Sequence, residues 1–86
     1  MNLTMQDLVQ CFEVAHKMGA RFIAVEIEIE GFKEPEIIIN RLENILDKLD
    51  YYKKAYNDDL TLKSFSGIKI VGFAWSNNIE ELEDYL

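Results

Sequence analysis

Apolar and polar positions alternate along this chain with two different periods, and the places where the period changes mark its elements. From Met5 to Met18 the period is helical: Met5, Leu8, Phe12 and Ala15 share one face, with Val9 and Cys11 at its edges. Thr4 stands where a helix cap is needed, with Asp7 three residues later as in a capping box. Leu3 and Leu8 are spaced for a hydrophobic staple, and Gly19 supplies the stop. From Arg21 to Glu30 the period drops to two: Ile23, Val25, Ile27 and Ile29 point one way, and Glu26, Glu28 and Glu30 the other. A turn over Gly31 to Pro35 and a short strand over Glu36 to Ile39 complete a hairpin.

The helical period returns over Arg41 to Tyr56, with Asn40 as cap and Glu43 three residues on. Its apolar stripe is Leu42, Ile45, Leu46, Leu49, Tyr52 and Tyr56, which leaves Tyr51 on the opposite, water-facing side. Asn57-Asp58-Asp59 breaks this helix. Leu60 to Phe65 and Ile68 to Trp75 read as two more strands turning at Ser66-Gly67. A short third helix over Asn78 to Tyr85 follows Asn77, with acids in its first turn.

The order α-β-β-α-β-β-α predicts an α+β fold over residues 1–86, one domain built on a four-stranded, mainly antiparallel sheet packed with helices. The last strand resists a simple two-layer arrangement. Ile68, Ile70 and Ala74 fall on one face and Val71, Phe73 and Trp75 on the other. Helices on both sides of the sheet, a second subunit forming a homodimer, or a bulge at Gly72 would each account for it.

Charge narrows the function classes. The net charge is −7 from 16 acids and nine bases, and it is segregated. Phe22 to Glu36 carries five acids and one base, Ser76 to Leu86 four acids and no base, so each segment is −4. Binding to nucleic acid or an anionic membrane needs clustered Lys and Arg, so neither is expected; a basic surface on another protein is. A single cysteine, Cys11, excludes an internal disulfide and a cysteine-based zinc site. The opening Met-Asn-Leu-Thr-Met-Gln-Asp lacks the basic and apolar regions of a secretion signal, which points to the cytoplasm.

Candidate chemistry is sparse. There is no phosphate-cradling glycine loop, no H-E-x-x-H and no G-x-S-x-G. His16 has no neighbour with which to bind a metal, and Cys11 lies about 140° around the helix from it, too far for a nucleophile–base pair. No catalytic residue, metal or cofactor is expected, and an enzyme, metal-dependent or otherwise, ranks third among the readings. The candidate partner contacts are the carboxylates Glu26, Glu28 and Glu30, spaced about 6.5–7 Å along one strand face, and the C-terminal acids Glu80, Glu81, Glu83 and Asp84. The first group reads either as a row that meets basic side chains or as a solvated sheet face. The second reads as a helix docked on its own sheet or as a mobile element for a basic groove. Tyr51 and Trp75 are the candidate aromatic contacts, Trp75 being equally placed for the core.

The stretches Phe32-Lys33-Glu34-Pro35-Glu36-Ile37-Ile38-Ile39-Asn40, Leu49-Asp50-Tyr51-Tyr52-Lys53-Lys54-Ala55-Tyr56 and Ile68-Lys69-Ile70-Val71-Gly72-Phe73 resemble small phage and prophage proteins of Gram-positive bacteria. That resemblance implies no activity of its own. It implies a context in which small acidic proteins antagonise host machinery, CRISPR nucleases and other defence enzymes among it. The leading expectation is therefore a non-enzymatic inhibitor or adaptor whose carboxylates imitate a phosphate backbone. The alternative is a self-associating structural or accessory phage protein.

Overall fold

The first helix is closed at both ends by local hydrogen bonds that the sequence writes out. In the computed structural model, which describes residues 3–41, 43, 45–78 and 80, helix α1 runs Met5–Lys17. The Asp7 carboxylate accepts from the Thr4 backbone N–H at 2.8 Å and from the Thr4 hydroxyl at 3.1 Å. The Met5 N–H, which has no partner within the helix, donates to the Asp58 carbonyl at 2.8 Å and ties the start of α1 to a distant loop. At the other end Gly19 takes a φ of +69°, and the Ala20 and Gly19 amides donate back to the carbonyls of Ala15 and His16. This is a Schellman closure, whose left-handed residue favours glycine.

The sheet is four-stranded and antiparallel, in the order β2-β1-β4-β3. Its strands are β1 Phe22–Ile29, β2 Glu36–Arg41, β3 Thr61–Leu62 and β4 Phe65–Ser76, with helix α2, Ile45–Ala55, between β2 and β3. The expected α+β architecture is what forms. Ile23, Val25, Ile27 and Ile29 of β1 face both helices and join Leu8, Phe12, Ala15, Leu49, Tyr52, Leu60 and Ile70 in one apolar core. Each fully buried side chain of this kind contributes roughly 1.5–3 kcal/mol.

The two-faced last strand resolves as a bulge. Gly72 lies opposite Glu26 but Ile70 lies opposite Ile27, so Val71 is an extra residue with no counterpart on β1. Alternation restarts after it, and Ile68, Ile70, Phe73 and Trp75 all come to the core side, opposite Ile29, Ile27, Val25 and Ile23. The strand by itself therefore requires neither a second helical layer nor a second subunit.

Several boundaries differ from the sequence reading. Asn40 does not cap α2; Asn40 and Arg41 belong to β2, paired with Ile23 and Phe22, and α2 starts at Ile45. The Asn40 side chain is held instead by the Tyr52 hydroxyl, 3.1 Å away. Leu46 is not part of the buried stripe: it is 70% exposed, because Ile45, Leu49, Tyr52 and Tyr56 set the inward direction and Leu46 lies 100° round from it. β3 is two residues long, and the chain turns at Lys63-Ser64 rather than Ser66-Gly67. Gly67 instead lies within β4 beneath two side chains: a Cβ there would stand 2.6 Å from Phe65 Cζ and 2.7 Å from Glu30 Oε2, and both of these exposed side chains would have to swing aside. The expected third helix lies largely outside the described residues; of the C-terminal acids Glu80 is described, and Glu81, Glu83 and Asp84 are not.

Candidate functional site

The β1–β2 hairpin end of the sheet gathers the exposed acids. On the face of β1 away from the helices, Glu26 lies between Ile37 of β2 and Gly72 of β4, and Glu28 lies opposite Lys69. Glu30 follows the end of β1; its N–H donates to the Gly67 carbonyl at 2.7 Å and its side chain sits over Gly67. The three carboxylates thus face glycine, lysine and glycine across the sheet. Gly72 and Gly67 present no side chain of their own to the outer two, and Lys69, opposite the middle one, also acts on Asp59. Glu26 is half-buried; Glu28 and Glu30 are exposed, as are Glu34 and Glu36 across the hairpin.

Two phenylalanines share this end and were not singled out in the sequence. Phe32, at the hairpin tip, is 70% exposed; its N–H donates to the Ile29 carbonyl at 3.0 Å. Phe65, at the start of β4, is 50% exposed, and its ring end lies beside the Glu30 carboxylate above Gly67. Phe32 follows a turn glycine, Gly31, with a φ of +92°. A lone Phe after a glycine in an acidic turn carries no periodicity, so only the fold shows that the two rings and the carboxylates occupy one end.

The other candidates go elsewhere. Trp75 is half-buried on the core side, and with Leu3, Cys11, Val14 and Phe73 it lines an open cleft beside α1. Tyr51 is 57% exposed, as its position on α2 predicts. It packs edge-on against Tyr52 with ring centroids 5.3 Å apart, in a cleft between α2 and β2. Glu80 is exposed, its N–H bonded to Asn78 Oδ1 at 2.9 Å. β4 leaves the sheet at Ser76, opposite Phe22, six residues and about 20 Å from the row of Glu28. Neither Tyr51 nor Trp75 is brought into the acidic end.

Titration behaviour follows burial. Desolvation pushes the Cys11 thiol up from 9.0 to about 11, which makes it a poor nucleophile near neutrality. Burial likewise raises the phenols of Tyr52 and Tyr56. The Asp59 carboxyl is held low by hydrogen bonds from the Thr61 hydroxyl and N–H. Cys11, Tyr52 and Tyr56 lie on the helix side of the sheet, and Asp59 shares the charge of Lys69 with the carboxylate row. Among the described residues no three His, Cys, Asp or Glu side chains gather to hold a metal ion. No helix among them is long and apolar enough to cross a membrane. No protein family, curated protein or solved structure matches this chain.

Proposed function

We propose that this protein is a non-catalytic binding module that engages a basic surface of another protein through the hairpin end of its sheet. The observation that carries this reading is that exposed Phe32 and Phe65 stand at the same end of the sheet as exposed Glu28, Glu30 and Glu34, with the Phe65 ring beside Glu30. Aromatic rings supply the area that anchors a contact, and a surround of one charge steers and orients an oppositely charged partner. The wider chain, at −7, favours the same partner at long range.

A narrower version makes the partner a nucleic-acid-handling or defence enzyme of a bacterial host. It is supported by the resemblance to phage proteins and by the strand spacing of Glu26, Glu28 and Glu30. In that version the carboxylates occupy the positions that phosphates would take against Lys and Arg. The test is capture from a Gram-positive bacterial lysate on immobilised protein, eluted in rising salt, beside a Glu26→Lys/Glu28→Lys/Glu30→Lys variant. The proposal expects a basic protein that the wild type retains at low salt, releases at high salt, and that the variant does not retain. Retention of the same protein by both would refute it.

A further inference from the structure

The two edges of the sheet are not treated alike. β3 is two residues long and its pairing with β4 shifts register, a form that discourages further pairing. β2 is six residues long, centred on Ile37, Ile38 and Ile39, and its pairing with β1 runs without a shift. It has one strand neighbour among the described residues, so every second backbone N–H and carbonyl on its outer side is without a ladder partner.

Beside that edge runs the α2–β2 cleft, about 490 Å³, lined by Ile38 and Asn40 from the strand and by Asp47, Lys48, Tyr51 and Tyr52 from the helix. Ile38 is 36% exposed. The far wall is fixed before anything binds: the Asn40 amide donates to the Tyr52 hydroxyl at 3.1 Å, and the Lys48 ammonium donates to the Arg41 carbonyl. Along the cleft-facing side of β2 the order is Glu36, Ile38, Asn40, so an exposed carboxylate comes two residues before the apolar position.

We infer that the free edge of β2 takes an extended segment of another protein as a fifth strand. That segment carries an apolar side chain opposite Ile38, between Ile38 and Tyr51, and a Lys or Arg opposite Glu36, two residues away. Backbone pairing supplies the attachment and the alternate side chains supply selectivity. Within the cleft Asp47 and Lys48 balance one another, so the partner's sign is set by Glu36, exposed on the same side of β2 two residues before Ile38, and by the chain's overall −7. This site is separate from the Phe32–Phe65 end and stands or falls independently of it.

The test is selection from a random peptide display library against the full chain, followed by titration of the best synthetic peptide. The expected result is enrichment of sequences with an apolar and a basic residue two apart. Tyr51→Ala and Ile38→Lys should each weaken the selected peptide roughly tenfold or more, with thermal unfolding of both variants as the control for folding. Amide resonances of residues 37–40 should shift on binding, while those around Phe32 stay in place. Failure to enrich any such motif, or peptides indifferent to both variants, would overturn the inference. So would a sedimentation-measured dimer that Ile38→Lys dissociates, because the edge would then belong to a second copy.

Discussion

The two faces of β1 carry different obligations. On one, Ile23, Val25 and Ile27 are buried under the helices, and each fits its cross-strand neighbour on β4: Trp75, Phe73 and Ile70. On the other, moving toward the hairpin, the side chains pass from Ala24 to Glu26, Glu28 and Glu30, and their neighbours on β4 shrink to glycine on either side of Lys69. Small neighbours in a strand give up packing area and leave long polar side chains uncovered. The first face is built for cohesion; the second, at its hairpin end, is the one we propose for contact. A change on the first should be read in stability, and a change on the second in binding.

The most severe way to break this comparison is to delete Val71. Without the extra residue everything on β4 to one side of it changes face, so either Phe73 and Trp75 or Ile68 and Ile70 leave the core. We expect loss of cooperative unfolding and of the near-ultraviolet dichroism of Trp75. Next in size is Phe12→Ala, which removes a fully buried ring packed 5.8 Å from Tyr52. It should cost about 3–5 kcal/mol, read as a fall in the urea midpoint. Gly19→Ala should cost about 1–2 kcal/mol, because the left-handed φ of +69° is needed for the helix closure although space for a methyl exists. The triple lysine substitution at Glu26, Glu28 and Glu30 should leave the chain folded at a total cost of about 1 kcal/mol, most of it from a lysine at 28 facing Lys69, while abolishing capture of the partner.

Alkaline pH tests the cohesive face separately. Cys11, Tyr52 and Tyr56 hold their protons more tightly folded than unfolded, so the folded chain binds more protons as these groups titrate. The Cys11 contribution is complete below pH 9.0 and is lost as the pH rises toward about 11. The urea midpoint should therefore decline above pH 9, and Cys11→Ser should remove the earliest part of that decline. At pH 8 the thiol should alkylate about a hundredfold more slowly folded than unfolded, in proportion to its thiolate.

Much of the cohesive face was legible because it is periodic. Ile23 to Ile29 alternate without exception, and Thr4, Asp7 and Gly19 each meet a local need of α1, so the strand and the helix ends could be read from neighbours in sequence. The errors have equally local causes. Asn40 followed by Glu43 has the spacing of a capping box, yet Asn40 is claimed by β1 and by Tyr52, twelve residues away, neither of which is visible locally. Ser66-Gly67 has turn composition, but both residues lie within β4, where the Glu30 and Phe65 side chains cross Gly67. The bulge was among the options for the last strand, and choosing it required the register with β1. The contact face was legible only in its acids. Glu26, Glu28 and Glu30 share a face by strand period alone, whereas Phe32 and Phe65 reach them through the hairpin and the β1–β4 pairing. Tyr51 was correctly placed in water, but its cleft depends on β2 extending to Arg41.

The measurement that bears most directly on the assignment of the contact face is the affinity of the captured partner for wild-type protein and for Phe32→Ala/Glu30→Lys, by titration calorimetry at low and moderate salt. Both residues are exposed, so the variant should unfold at the wild-type denaturant concentration. The account predicts at least a tenfold loss of affinity, larger at low salt than at moderate salt, as expected where an aromatic anchor and a screened charge are removed together. An unchanged affinity in a folded variant would contradict it and return the hairpin end of the sheet to an ordinary solvated surface.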